Sequence, residues 1–170
     1  LVSVAWLLAV GCVTTPLPPA KTLVLKAPPA SPVEVDPERM RTHVTTLTST
    51  SRPRNSENPL ALDQAAAYIT HEFSAMGYTV LEQRYESGGK AYKNIIVRYG
   101  PETAPRIVVG AHYDVAGPGP GADDNASGVA GLLELARLVA RQKPALNNQI
   151  EFVTPREAYP HPGLPPRCSG

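Results

Sequence analysis

The stretch that most constrains the fold lies between residues 107 and 153. Ile107-Val108-Val109-Gly110-Ala111 is an unbroken apolar run bounded by turn residues, the pattern of a central strand covered on both faces. Residues 127–141 follow as a helix. Its Val129, Leu132, Leu133, Leu135, Ala136, Leu138 and Val139 occupy much of the circumference, so it should be well buried. Gln149-Ile150-Glu151-Phe152-Val153 then begins another strand. Strand, helix and strand in this order form a βαβ unit, whose crossover is right-handed on general steric grounds.

The segment before this unit supplies helices and a hairpin. Asp36-Pro37-Glu38 is a helix start, a carboxylate N-cap followed by proline at the first helical position. Met40, Val44 and Leu47 continue it as one apolar stripe. A second helix is expected over residues 60–76, with Leu62, Ala65, Ala66, Ile69, Phe73 and Met76 on one face and Gly77 as its C-terminal cap. Residues 51–59 between them read as a polar loop. Strands at 78–86 and 91–99 are joined by the turn Ser87-Gly88-Gly89-Lys90. The fold class is therefore α/β, a mixed sheet with flanking helices.

Proline marks where this pattern stops. The chain has 19 prolines, about twice the ordinary share, with seven in residues 1–37 and five in residues 155–166. Its two cysteines, Cys12 and Cys168, also lie in these ends, which rules out a disulfide framework for the centre. Sixteen basic against fifteen acidic side chains, with no basic block, exclude a nucleic-acid footprint. The division that follows is a leader over 1–12, a proline-rich tether over 13–35, a folded domain over 36–153 and an irregular tail over 154–170. The leader is uncharged, too short to span a bilayer at about 20 residues, and suited to the apolar part of a secretory signal. Leu8-Ala9-Val10-Gly11-Cys12 resembles a bacterial lipobox, which implies a lipid anchor on Cys12 and a place in the cell envelope, membrane-bound or secreted.

Candidate chemistry gathers where the apolar strand ends. His112 leaves the C-terminal end of that strand, the side on which open α/β sheets bind ligands. Asp123 and Asp124 stand at the start of the next helix, where the helix dipole tolerates negative charge. Strand end and helix start are neighbours in a βαβ unit, so imidazole and carboxylate converge although 11 residues separate His112 from Asp123. That donor pair suits zinc, and a carboxylate can bridge two metals. Asp114, two residues on, can accept the second imidazole N–H.

The combination Gly110-Ala111-His112-Tyr113-Asp114, a Gly/Pro loop, and Gly121-Ala122-Asp123-Asp124-Asn125-Ala126-Ser127-Gly128 resembles the co-catalytic dizinc aminopeptidases of the bacterial leucyl aminopeptidase and aminopeptidase Y type. The likeness covers residues 36–153, including 52–63 and Lys93-Asn94-Ile95-Ile96, and represents the N-terminal part of such a domain. It implies release of N-terminal amino acids from peptides with two Zn2+ ions. It also implies metal ligation by His112 and Asp123, with Asp123 bridging, a catalytic supporting role for Asp114, and a cis peptide between Asp123 and Asp124.

The family pattern then stops after the βαβ unit. A pair of adjacent glutamates should follow the strand at 150–153, one as general base and one as ligand. The chain instead reads Thr154-Pro155-Arg156-Glu157-Ala158, and His161 lies too near in sequence to be the family's distant histidine. The abrupt change at Thr154 is what a shifted reading frame or a truncated gene product leaves. An incomplete, inactive peptidase-like domain is the expectation. A non-catalytic envelope lipoprotein and a glutaminyl cyclase-like acyltransferase are the alternatives, the first separable by zinc stoichiometry and peptide hydrolysis. The leader carries its own test. The mature chain should begin at Cys12 and fractionate with membranes, and a Cys12→Ser form should be neither processed nor retained there.

Overall fold

The computed structural model of the chain describes residues 34–156. The expectations for the leader, for residues 13–33 of the tether and for the tail beyond Arg156 lie outside those residues. Helix α1 (Pro37–Thr48) begins as its sequence requires: the Asp36 carboxylate accepts from the amides of Glu38 and Arg39, both at 3.1 Å. Helix α2 (Pro59–Ala75) buries Leu62, Ala65, Ala66, Ile69 and Phe73, and Gly77 follows its cap with φ of 88°. Strands β1 (Leu81–Ser87) and β2 (Lys90–Tyr99) form the hairpin, Ser87 opposite Lys90. Gly88 and Gly89 turn it with φ of 58° and 72°, the left-handed pair that a two-residue turn matching strand twist requires.

The βαβ unit consists of β3 (Arg106–Gly110), α3 (Gly128–Gln142) and β4 (Gln149–Thr154). The sheet runs β1-β2-β4-β3, with β3 parallel to β4 and the other pairs antiparallel. Val97, Phe152 and Val109 lie in register across three strands. With Ile95, they meet Phe73 of α2 and Val129, Leu132, Leu133 and Ala136 of α3 in one core. Strand β4 runs through Thr154, one residue past the expected domain end.

One expectation is corrected. The apolar run at 107–111 does not sit in mid-sheet: among the described residues β3 is a margin strand, and β4 takes the inner place. Ile107 and Val108 are each 51% exposed. An apolar run reports that a strand can be covered on both faces. It does not report which strand becomes its neighbour.

Two buried polar contacts tie α1 down. Glu134 of α3 accepts from the Asp36 amide at 2.8 Å and from Arg137 Nε at 2.7 Å, and the Arg137 bond is the largest influence holding its carboxyl below the ordinary range. His43, buried at 3% exposure, shares a 2.6 Å hydrogen bond with the Tyr68 hydroxyl, while its Nε2 meets no hydrogen-bond partner among the described residues. Burial lowers the His43 pKa from its usual 6.5, with Arg39 acting in the same direction and Glu72 and Glu134 opposing.

A depressed histidine pKa means that the unfolded chain takes up this proton first as pH falls. The stability linked to His43 is thus complete above about pH 6.5 and is lost below it, at no more than about 1.4 kcal/mol per pH unit. Denaturant unfolding at stepped pH should show that decline, and His43→Gln should flatten it below about pH 6.5.

Candidate functional site

Parallel pairing carries β3 to its end: the Ala111 amide still donates to the Val153 carbonyl at 3.1 Å. His112, Tyr113 and Asp114 then leave the sheet. Tyr113 anchors the departure, being buried at 2% exposure, with its hydroxyl donating to the Lys93 carbonyl at 2.8 Å and its amide to Pro155 O at 3.1 Å. Burial drives its phenol pKa well upward, so it stays a neutral donor. With Tyr113 fixed in the core, the side chains of His112 and Asp114 on either side of it in sequence meet each other.

His112 lies between two carboxylates. Its Nε2 is 3.0 Å from Asp124 Oδ1, and its Nδ1 is 3.3 Å from Asp114 Oδ1 and 3.2 Å from the Asp114 carbonyl. Asp114, 7% exposed, thus lies against the Nδ1 side of the His112 ring.

The tandem aspartates divide differently from expectation. Asp124, not Asp123, reaches His112. Both aspartates are exposed, and the Asp123 carbonyl accepts from Ser127 Oγ at 2.8 Å. The turn at Ala122–Ser127 is irregular, with Asp124 (φ −113°, ψ 91°) and Asn125 (φ −139°, ψ 37°) out of helical conformation. That departure directs the Asp124 side chain at the strand end. The cis peptide is likewise one residue further on, between Asp124 and Asn125. The sequence reading placed both features at Asp123. A tandem pair contains no periodic signal to show which member approaches His112.

Two arginines escaped the sequence reading. Arg54, in the loop read simply as polar, is fully buried. Burial lowers its pKa, and the Asp114 charge opposes that shift. Arg156, assigned to the irregular tail, stacks on Tyr92 with its guanidinium carbon 3.7 Å from the ring centroid. Its Nε lies 3.8 Å from Asp114 Oδ2, and its amide donates to Asn94 Oδ1 at 3.3 Å. A second cation thus stands beside the carboxylate that steadies His112. No sequence pattern marks a buried arginine in a loop, and Arg52 two residues earlier is exposed.

As a metal centre this is half a site. Tetrahedral zinc with bonds of about 2.0–2.1 Å separates its ligand atoms by about 3.3 Å, close to the 3.0 Å between His112 Nε2 and Asp124 Oδ1. Yet no three His, Cys, Asp or Glu side chains converge to hold a metal among the described residues. Two donors do not complete a zinc centre, so the described residues do not fit a resident dizinc cluster.

Residues 94–156 match Peptidase family M28. Among curated proteins the chain is 43% identical over 134 residues to the uncharacterized protein YfbL of Escherichia coli (strain K12), covering 74% of this chain and 42% of that one. A leucine aminopeptidase precursor from Bacteroides thetaiotaomicron shares the fold at a TM-score of 0.59 and 28% identity, over 75% of this chain and 51% of that one. Bacteroides thetaiotaomicron glutaminyl cyclase bound to N-acetylhistamine does so at 0.60 and 29%, over 81% and 51%. The chain thus spans less than half of the curated relative and about half of either solved chain. The resemblance to zinc exopeptidases holds for a partial region, and aminopeptidases and glutaminyl cyclases share its fold.

The Asp124 assignment has a direct check. Any zinc held by the chain, followed by calorimetry or a competing chelator, should weaken at least about tenfold in Asp124→Asn and less than about threefold in Asp123→Asn.

Proposed function

We propose that this M28-type segment belongs to an aminopeptidase-like protein and supplies two of its metal ligands, His112 and Asp124, with Asp114 orienting His112. The observation that carries the reading is the 3.0 Å approach of His112 Nε2 to Asp124 Oδ1 at the strand end and helix start of a βαβ unit. The M28 match over 94–156 and the aminopeptidase precursor among the shared folds support it.

The chemistry of the chain's own residues is limited and definite. When Nδ1–H of His112 donates to Asp114, the ring's Nε2 lone pair faces Asp124, so both donors are presented to one point. When zinc is bound in such enzymes it polarises a carbonyl and lowers the pKa of bound water. The described residues provide no adjacent glutamate to receive a proton from that water. Release of N-terminal amino acids from peptides is therefore proposed for the lineage, and the 170-residue chain should be inactive. The lipobox-like leader supports membrane attachment through Cys12 and a peptide substrate met in the cell envelope.

A non-catalytic role is the second reading. The two-donor half-site favours it, because a fold can persist as a binding module after its chemistry is gone.

Purified chain assayed on amino-acid anilides with added zinc should show no turnover above background. Loss of a positioned general base alone costs about 10²–10⁴-fold. Zinc-dependent turnover abolished by His112→Ala would overturn the half-site reading and make the chain an active peptidase.

A further inference from the structure

We infer that Arg54 is the positioning residue of the His112–Asp124 pair: its buried guanidinium sets the separation between the loop that carries His112 and the turn that carries Asp124. The inference rests on the reading of that pair given above. Arg54 is wholly enclosed and donates to backbone carbonyls from three separate segments. Nη1 bonds to Leu47 O at the end of α1 and, at 2.7 Å, to Pro120 O. Nε donates to Tyr113 O at 2.9 Å, and Nη2 to Gly121 O at 3.2 Å. Tyr113 adjoins His112, and Gly121 precedes Asp124 by three residues. One rigid fork thus spans both sides of the site.

Neighbouring contacts make the clamp specific. The Val115 amide donates to the Arg54 carbonyl at 2.9 Å, and Asn55 Nδ2 donates to Gly117 O at 3.0 Å. Gly121, with φ of 63°, fits against the guanidinium so closely that a Cβ there would lie 3.2 Å from Arg54 Nη2 and 2.0 Å from Val115 Cγ1. Residues 116–120 are exposed and rich in Gly and Pro, and fixing such a loop costs conformational entropy that these bonds must offset. Lysine carries the charge but not the planar fork, so it cannot reach four carbonyls in fixed directions.

The test uses the full 170-residue chain without metal. Hydrogen–deuterium exchange is compared in the parent, Arg54→Met and Arg54→Lys. Positioning predicts that amides in 113–127 exchange at least about tenfold faster in Arg54→Met, equivalent to about 1.4 kcal/mol. Amides of α2 and β2 should hold their parent rates, and Arg54→Lys should fall between. Acceleration spread evenly over α2 and β2, or none in 113–127, overturns the inference. Should Arg54→Met fail to fold, Arg54→Lys decides: acceleration confined to 113–127 supports the inference, and unchanged or uniform rates overturn it.

A second arm adds zinc to the parent and follows the His112 ring and Asp124 side-chain resonances. Shifts in the parent that are weakened in Arg54→Lys support the functional role. Absence of any shift in the parent overturns the metal reading, and the metal-free exchange distinguishes that result from failure of the clamp.

Discussion

The parallel pairing of β3 with β4 is the constraint from which the rest follows. Parallel neighbours cannot be joined by a tight turn, so the chain must cross over, and here the crossover is α3. A crossover leaves the C-terminal end of one strand and arrives at the N-terminal end of a helix above the same sheet edge. His112 and Asp124 are the residues at those two places. Their approach is a consequence of connectivity, and local geometry then decides which aspartate completes it.

Hydrophobic period made the elements legible. Proline after an aspartate started α1, the Gly88-Gly89 pair fixed the hairpin, and the apolar residues of α3 foretold the burial of Val129, Leu132, Leu133 and Ala136, whereas Leu135 is exposed. Each of these features is local, so a window of sequence contains its cause. The margin place of β3 was not legible, because strand order depends on β4, about forty residues away. Nor was the choice of Asp124, because it depends on two backbone torsions in an irregular turn.

Buried charge was the least legible feature. Arg54 and Glu134 are both enclosed, and each has at least one partner distant in sequence. Their arrangement is economical in charge: Glu134 pairs with Arg137, whereas Arg54 is solvated mainly by carbonyl dipoles with Asp114 nearby. Removing one partner from such a group leaves an uncompensated polar atom, which is dearer than the bond itself was worth. Polar atoms of this kind select one loop arrangement among many that apolar packing would tolerate.

Among the described residues the sheet has two unlike margins. Strand β1 alternates charge along its length through Glu82, Arg84 and Glu86, whereas β3 presents Ile107, Val108 and Val109 in succession. Repulsion and hydration guard the first margin against strand addition, and among the described residues nothing comparable guards Ile107 and Val108 on the second. The asymmetry has a consequence for symmetry. Copies joining β3 to β1 would regenerate a free margin at each step and grow without closing, and the guarded β1 disfavours that course. Two copies of the described sheet meeting β3 to β3 would consume both of those margins at once, a self-limiting twofold contact.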